Sequence, residues 1–418
     1  FGAGIPGFPS PVHYQYSITP YLMLIFNPWV STVLTYLIFN GVGYVLVLNY
    51  FSNHINLGLK PSVTGAVVFS TSGFWISHLL IGHLSYHTFS LIALAPYIIH
   101  SKWSTTKKTI LLSLSVIYMI HSGAYFPIYL LYLSVIQLLF LFLILYKVNL
   151  KSLVKVLVIS HLIIFCVSMS KIVAVSMHMD VIPRLNSYTS WQSYFIALPF
   201  ANFFQLFSWR LLYPFESLLP IPADSILFWV CGSRYEFWEN DCSVSPVVLP
   251  IMAYFIYKFR KVIITKLIKN KFYFIFLLMS LWITAEISIG KGLFWQIIKD
   301  LPFIKSTHVN VRYCGSIILL VTIVFSYSYH YLTKFNFIKK DLLVFYSIIL
   351  ISLLSALSYV SFIDRKNAFL AHDHSTENEI WANIQNGNNM VPITEIIDTP
   401  GTDHLSHFNR NASSFMPH

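Results

Sequence analysis

Apolar residues along this chain come in blocks, not in the i, i+3, i+4 stripes of a surface helix or the strict alternation of a half-buried strand. Seven blocks, 30–51, 61–80, 125–146, 152–175, 272–289, 311–332 and 342–362, run close to the roughly 20 residues that an α-helix needs to cross a hydrocarbon core. Three shorter ones, 87–100, 108–121 and 246–259, predict helices that extend into their flanks or re-entrant segments. The pattern predicts an all-α polytopic membrane protein of about ten transmembrane helices. Residues 1–362 form its membrane domain, with 1–26 and 177–245 as external loops, and 363–418 form a polar external tail.

Composition agrees with lipid as the solvent. Of 418 residues, 56% are hydrophobic and 10% charged, with a mean hydropathy of +0.65, which leaves a water-soluble fold more apolar surface than it can hide. The net charge of +11 is distributed by topology. All sixteen acids lie from Asp180 onward, while lysines and arginines cluster in short connections around Lys60, Lys102 to Lys108, Lys147 to Lys155, Lys258 to Lys271 and Lys334 to Lys340. With ten spans every cluster falls on one side, which the positive-inside rule makes cytoplasmic. That side holds sixteen of the 27 basic residues and one acid, Asp341, for a net +15; the other side nets −4. Nucleic-acid binding is not needed to explain the charge.

Both ends of the chain then face outward. The chain begins at Phe1 without Met or a signal-peptide pattern, so a further span upstream is expected. Cys166 and Cys314, inside apolar blocks, read as packing residues, while Cys231 and Cys242 share the large external loop, where a disulfide is chemically permitted. No Cys/His spacing suits a structural zinc, and no phosphate-binding glycine loop or nucleophile elbow occurs.

Three polar constellations lie at the external face. His78, His83 and His87 sit near the ends of two blocks, and if His83 and His87 share an α-helix their i, i+4 spacing is that of metal ligands. Hydrogen bonding to a sugar or phosphate and simple interfacial placement are the competing readings, and His121 and His178 should lie at the same level. The second constellation joins Glu286, Lys291 and Arg312. A carboxylate inside an apolar run is a functional candidate or one half of an ion pair with Lys291 or Arg312. Arg312 suits bidentate phosphate contact at the membrane surface, or it snorkels there. The third is the loop 180–241, where Arg184 and Trp238 stand among aromatics and acids of the kind that recognise carbohydrate; the aromatic belt of a membrane protein is the alternative.

The order of short motifs carries a resemblance. Phe1-Gly-Ala-Gly-Ile-Pro-Gly-Phe-Pro-Ser-Pro precedes the first block; Gly82-His-Leu-Ser-Tyr-His-Thr-Phe, Ala95-Pro-Tyr97 and His121-Ser-Gly-Ala-Tyr125 follow; Leu301-Pro-Phe-Ile-Lys-Ser and Val311-Arg-Tyr313 come late. Across 1–362 this resembles the YfhO-like branch of polytopic GT-C glycosyltransferases. The resemblance implies transfer of a sugar from a polyprenyl-phosphate donor to an acceptor on the external face, in the plasma membrane of a prokaryote. It also implies a catalytic carboxylate in the first external loop, yet no Asp or Glu precedes Asp180, so that acid is expected upstream of Phe1.

On this reading a carboxylate takes the acceptor proton and basic groups stabilise the departing lipid phosphate. Arg312 and Lys291 are the phosphate candidates, His83 and His87 serve phosphate, acceptor or a divalent metal, Arg184 and Trp238 contact substrate, and Glu286 orients or acts as base. Two other readings stand beside it. One is a non-catalytic membrane subunit that binds a protein partner through its external loops and tail. The other is a transporter of a lipid-linked substrate, which the scarcity of ionisable groups in the blocks and the lack of internal repeats disfavour.

Overall fold

The computed structural model describes residues 16–80, 83–181, 242–289, 292–299 and 310–365. The chain divides into two units, Phe1–Ala368 and Phe369–His418, and the second, which holds most of the polar tail, lies outside the described residues. Among those residues the fold is helical, without a strand. Its elements are α1 Ile18–Leu22, α2 Pro28–Asn49 with a π-turn Tyr50–His54, α3 Leu59–Ser70, α4 Gly73–Leu80, a 3-10 helix Leu84–Leu94 running into α5 Ala95–Ile99, α6 Thr105–His121, α7 Phe126–Leu145 and α8 Leu150–Val181. After the large loop come α9 Val248–Lys269, α10 Lys271–Ile289, α11 Leu293–Ile298, a second 3-10 helix Asn310–Ser316, α12 Ile317–Lys334 and α13 Asp341–Arg365.

Among the described residues five segments are long and apolar enough to cross a membrane: Val30–His54, Phe126–Leu145, Leu150–Met177, Lys271–Ser288 and Arg312–Lys334. They differ in what they face. Along α8 the side chains of Val154, Val158, Leu162, Phe165 and Met169 are exposed, the outward apolar surface that lipid would cover. The segment Arg312–Lys334 is instead mostly buried inside the bundle. Its hydroxyls are satisfied within the helix, Thr322 donating to the Ile318 carbonyl (2.8 Å) and Ser326 to that of Thr322 (2.9 Å), so they cost little in an apolar interior. Gly65 of α3 lets that helix approach closely, since a Cβ there would overlap Ser326 and Phe51.

Two apolar blocks depart from single α-helices. The block 61–80 breaks at Thr71 and Ser72 into α3 and α4, and the Gly73 N–H freed by the break donates to the Ser243 carbonyl (2.7 Å). The block 87–100 is too short to cross as an α-helix, but most of it is a 3-10 helix, which rises about 2.0 Å per residue against about 1.5 Å. Together Leu84–Leu94 and Ala95–Ile99 reach about 30 Å, the thickness of a hydrocarbon core. Every residue from 86 to 99 is buried, and α2, α4 and α7 pack around the segment. Irregular backbone of this kind is tolerated at membrane depth where protein encloses it.

Candidate functional site

The site is built where the first 3-10 helix begins. His83 caps it, its carbonyl accepting from the Tyr36 hydroxyl of α2 and from the Tyr86 N–H (3.0 Å). Three residues per turn place His83 and Tyr86 on one face and turn His87 a third of a circle away. The rings follow that geometry. Tyr86 lies 4.1 Å from His78 and 5.9 Å from His83, centroid to centroid, and the two histidines are 5.5 Å apart. His78 is fully buried, its Nδ1 donating to the Phe74 carbonyl one turn back (2.8 Å).

Arg312 enters this group from the second 3-10 helix. Its Nη1 donates to the Tyr86 hydroxyl (2.6 Å), and its guanidinium carbon stands 5.2 Å from the Tyr86 ring centroid. The segment that carries it is held from behind. Gln137 of α7 donates to the Ser316 hydroxyl (3.1 Å) and to Thr284 of α10 (3.0 Å), while Ser134 donates to the Ser316 carbonyl (2.9 Å). Buried amide and hydroxyl bonds of this sort fix the register of helices that have no hydrophobic drive between them in lipid.

The structure thus gathers Arg312 and His83, with His78 and Tyr86, and separates His87 from them. His87 Nε2 is hydrogen-bonded to the Tyr118 hydroxyl (3.1 Å), which accepts from the Ile18 N–H (3.2 Å), and the His87 ring packs on Phe39 at 4.8 Å. The i, i+4 spacing of His83 and His87 brings two rings together on an α-helix, whereas here a 3-10 helix begins after His83 and carries His87 to other neighbours. Among the described residues no group of three His, Cys, Asp or Glu side chains could hold a metal ion.

Glu286 occupies a different corner. It is 2% exposed, and its oxygens accept from Trp282 Nε1 (2.6 Å) and from the backbone N–H groups of Phe294 (2.6 Å) and Trp295 (3.3 Å). The carboxylate thus receives the otherwise unmatched amides at the start of α11. Gly292, at φ +111°, makes the fit: a Cβ there would stand 2.3 Å from the Glu286 carboxyl carbon. As placed, this carboxylate ties α10 to α11. Lys291, Arg184 and Trp238 lie outside the described residues.

The cysteines bring a pairing that spacing could not suggest. Cys242 and Cys314, both buried, face each other with Sγ atoms 2.8 Å apart, while Cys231 lies outside the described residues and Cys166 is exposed. Tyr36, Tyr86 and Tyr118 are the other residues that sequence reasoning missed. Only the i, i+3 interval from His83 to Tyr86 carried a signal, and it is legible only if a 3-10 helix is assumed.

Chemically, a guanidinium and two imidazoles stand around one phenol, and the guanidinium is the fixed positive charge of the group. Glu286 and Asp341 are the carboxylates among residues with described side chains, and both are engaged elsewhere: Asp341 accepts from Tyr329 (2.7 Å) and pairs with Lys60. An anion suits such a cluster. No family model, curated protein or solved structure matches the chain.

Proposed function

We propose that the protein is a membrane glycosyltransferase of about ten spans that takes a sugar from a polyprenyl-phosphate-linked donor at its external face. The observation that supports this reading best is Arg312, held by Tyr86 at the start of a buried apolar helix with His78 and His83 beside it. A lipid phosphate leaving a sugar develops charge at that depth, and a planar guanidinium stabilises it through paired N–H donors. The broken pass α3 to α4 and the pass Leu84–Ile99 bring the count to ten when added to the longer helices, and keep the lysine-rich connections on one side.

A second reading has its own support. Glu286 is saturated by three N–H donors, so the described residues bring no available base to the Arg312 cluster. A subunit that binds a lipid phosphate without reacting it fits that arrangement. One experiment separates the two. The full chain in nanodiscs is given a radiolabelled polyprenyl-phosphate sugar and a cell-envelope acceptor fraction, and both retained donor and transferred label are measured. Transfer that Arg312→Lys lowers roughly tenfold or more supports the enzyme. Arg312-dependent binding without transfer supports the subunit, and no binding removes both.

A further inference from the structure

Tyr36 of α2 touches the Arg312 cluster through the His83 carbonyl, and the π-turn that continues α2 ends at His54, in the lysine-rich part of the structure. There a cavity of about 210 Å³ opens between three connections. Its lining includes His54 after α2, His100 and Lys102 between α5 and α6, Lys108 in the first turns of α6, and Lys147 with Asn149 between α7 and α8. No carboxylate contributes to this lining.

Lys108 is the unusual member. It is 8% exposed, and among the described residues it has neither a hydrogen bond from its ammonium nor an ion pair. A lysine whose stem is buried and whose ammonium opens into a cavity lined by other cations is costly to leave without an anion, and the usual remedy is a partner carboxylate, which the protein does not supply among the described residues. Neighbouring cations are disposed otherwise: Lys107 lies over the Trp103 ring at 4.2 Å, outside the lining. The N-termini of α6 and α8 add their positive ends to the same place, Ser104 and Asn149 capping them by accepting from the N–H groups of Lys107 (3.2 Å) and Ser152 (3.0 Å).

We infer that this cavity binds a phosphate group, carried by an anionic lipid headgroup or as free phosphate, with Lys108 as its buried charge partner. Three lysines and two helix termini exceed what one carboxylate neutralises, and a phosphate offers more charge and more acceptor oxygens. The tightness of the site comes from Lys108; Lys102 and Lys147, both exposed, add attraction at longer range. A second basic concavity, formed by Lys261, Lys266 and Lys269 of α9 with the end of α7, shares Lys147. The site is independent of the Arg312 cluster and of the activity proposed for it.

The test uses the full chain in nanodiscs of phosphatidylcholine alone or of phosphatidylcholine with phosphatidylglycerol. Thermal unfolding is followed while inorganic phosphate is titrated against sodium chloride of equal ionic strength. If free phosphate is the ligand, it raises the unfolding temperature in both lipids. If a headgroup is the ligand, phosphatidylglycerol raises it and blunts the phosphate response. In either case Lys108→Met abolishes the response, and the surface pair Lys102→Gln with Lys147→Gln weakens apparent affinity roughly tenfold, which keeps the test decisive should the buried variant fail to fold. A wild type that responds to neither source, or variants that respond as wild type does, overturns the assignment.

The cysteine pair carries a second inference from a separate observation. We infer that Cys242 and Cys314 form a disulfide in the cell, a reading that rests on the external placement proposed above. Exchange with an oxidised dithiol would join the two Sγ atoms, the thiols giving up two protons and two electrons while the donor disulfide is reduced. The bond would lock the segment bearing Arg312 to the end of the large loop. Acid-quenched cells are alkylated and the chain digested without reductant. A joined 242–314 peptide pair supports the inference, and two alkylated thiols overturn it. Treating the purified chain with oxidised glutathione then tells why: pairing in vitro alone removes the external placement, and pairing in neither removes the geometry.

Discussion

Glu286 and Lys108 are both ionisable residues that are mostly buried, at 2% and 8% exposure, and the chain surrounds them differently. Around Glu286 it places an indole N–H, two backbone N–H groups and a glycine that gives the carboxylate room. Around Lys108 it places further cations and an open cavity, with no carboxylate in its lining. A buried charge whose bonds are complete belongs to the architecture, because removing a partner leaves a desolvated group unmatched. A buried charge left incomplete inside a cavity belongs to binding. Burial alone therefore misranks the two charges, since by that measure Glu286 is the stronger functional candidate.

Gly292 gives the largest expected effect. Gly292→Ala puts a Cβ into the Glu286 carboxylate at a backbone angle that alanine resists, so the chain should lose about 3 kcal/mol of stability. Chemical unfolding in detergent measures it. If the contrast between the two charges is right, the cost shrinks in a Glu286→Ala background, because the overlapping group is gone; equal costs in both backgrounds would mean that Gly292 serves only its own backbone angle.

Glu286→Gln comes next. The amide keeps one acceptor oxygen but turns an NH₂ group toward donors, and should cost about 2 kcal/mol. The same variant sharpens the functional side of the contrast. Donor binding at the Arg312 cluster should fall no more than stability explains, since Glu286 bonds to Trp282, Phe294 and Trp295 while Arg312 bonds to Tyr86. A selective loss of transfer by a fully folded Glu286→Gln protein would return this residue to the chemistry.

The long helices were legible because lipid asks for unbroken apolar stretches, and 126–145, 150–177, 271–288 and 312–334 match the blocks in the sequence closely. What stayed hidden was set by tertiary surroundings. Thr71 and Ser72 are ordinary helix residues in lipid, and only the docking of Gly73 on Ser243 explains a break there. The 3-10 helix has no signature beyond its short length, because complete burial against α2, α4 and α7 chooses its pitch. That choice moved His87 away from His83 and put Tyr86 in its place. Glu286 and Arg312 were visible as charges at the ends of apolar runs, but their partners were not: one is satisfied by backbone eight and nine residues on, the other by a tyrosine 226 residues away. Lys108 read as one more topological cation, since burial of a lysine in a cavity depends on three connections that the sequence does not place together.

The smallest expected effect is the most discriminating. Lys108→Met keeps the length of the side chain and removes its charge, so without phosphate or anionic lipid the variant should be more stable than wild type by about 1 kcal/mol. That sign is opposite to the one expected for Glu286→Gln. A structural lysine held by unrecognised bonds would lose stability when replaced, as Glu286 does, and the two buried charges would then be the same kind of residue. A lysine kept for a ligand gains stability in the empty protein and loses the ligand's contribution. Unfolding of wild type and variant in phosphatidylcholine nanodiscs, with and without phosphate, reads both effects, and the curves should cross as phosphate rises, because occupancy adds stability only where Lys108 is present.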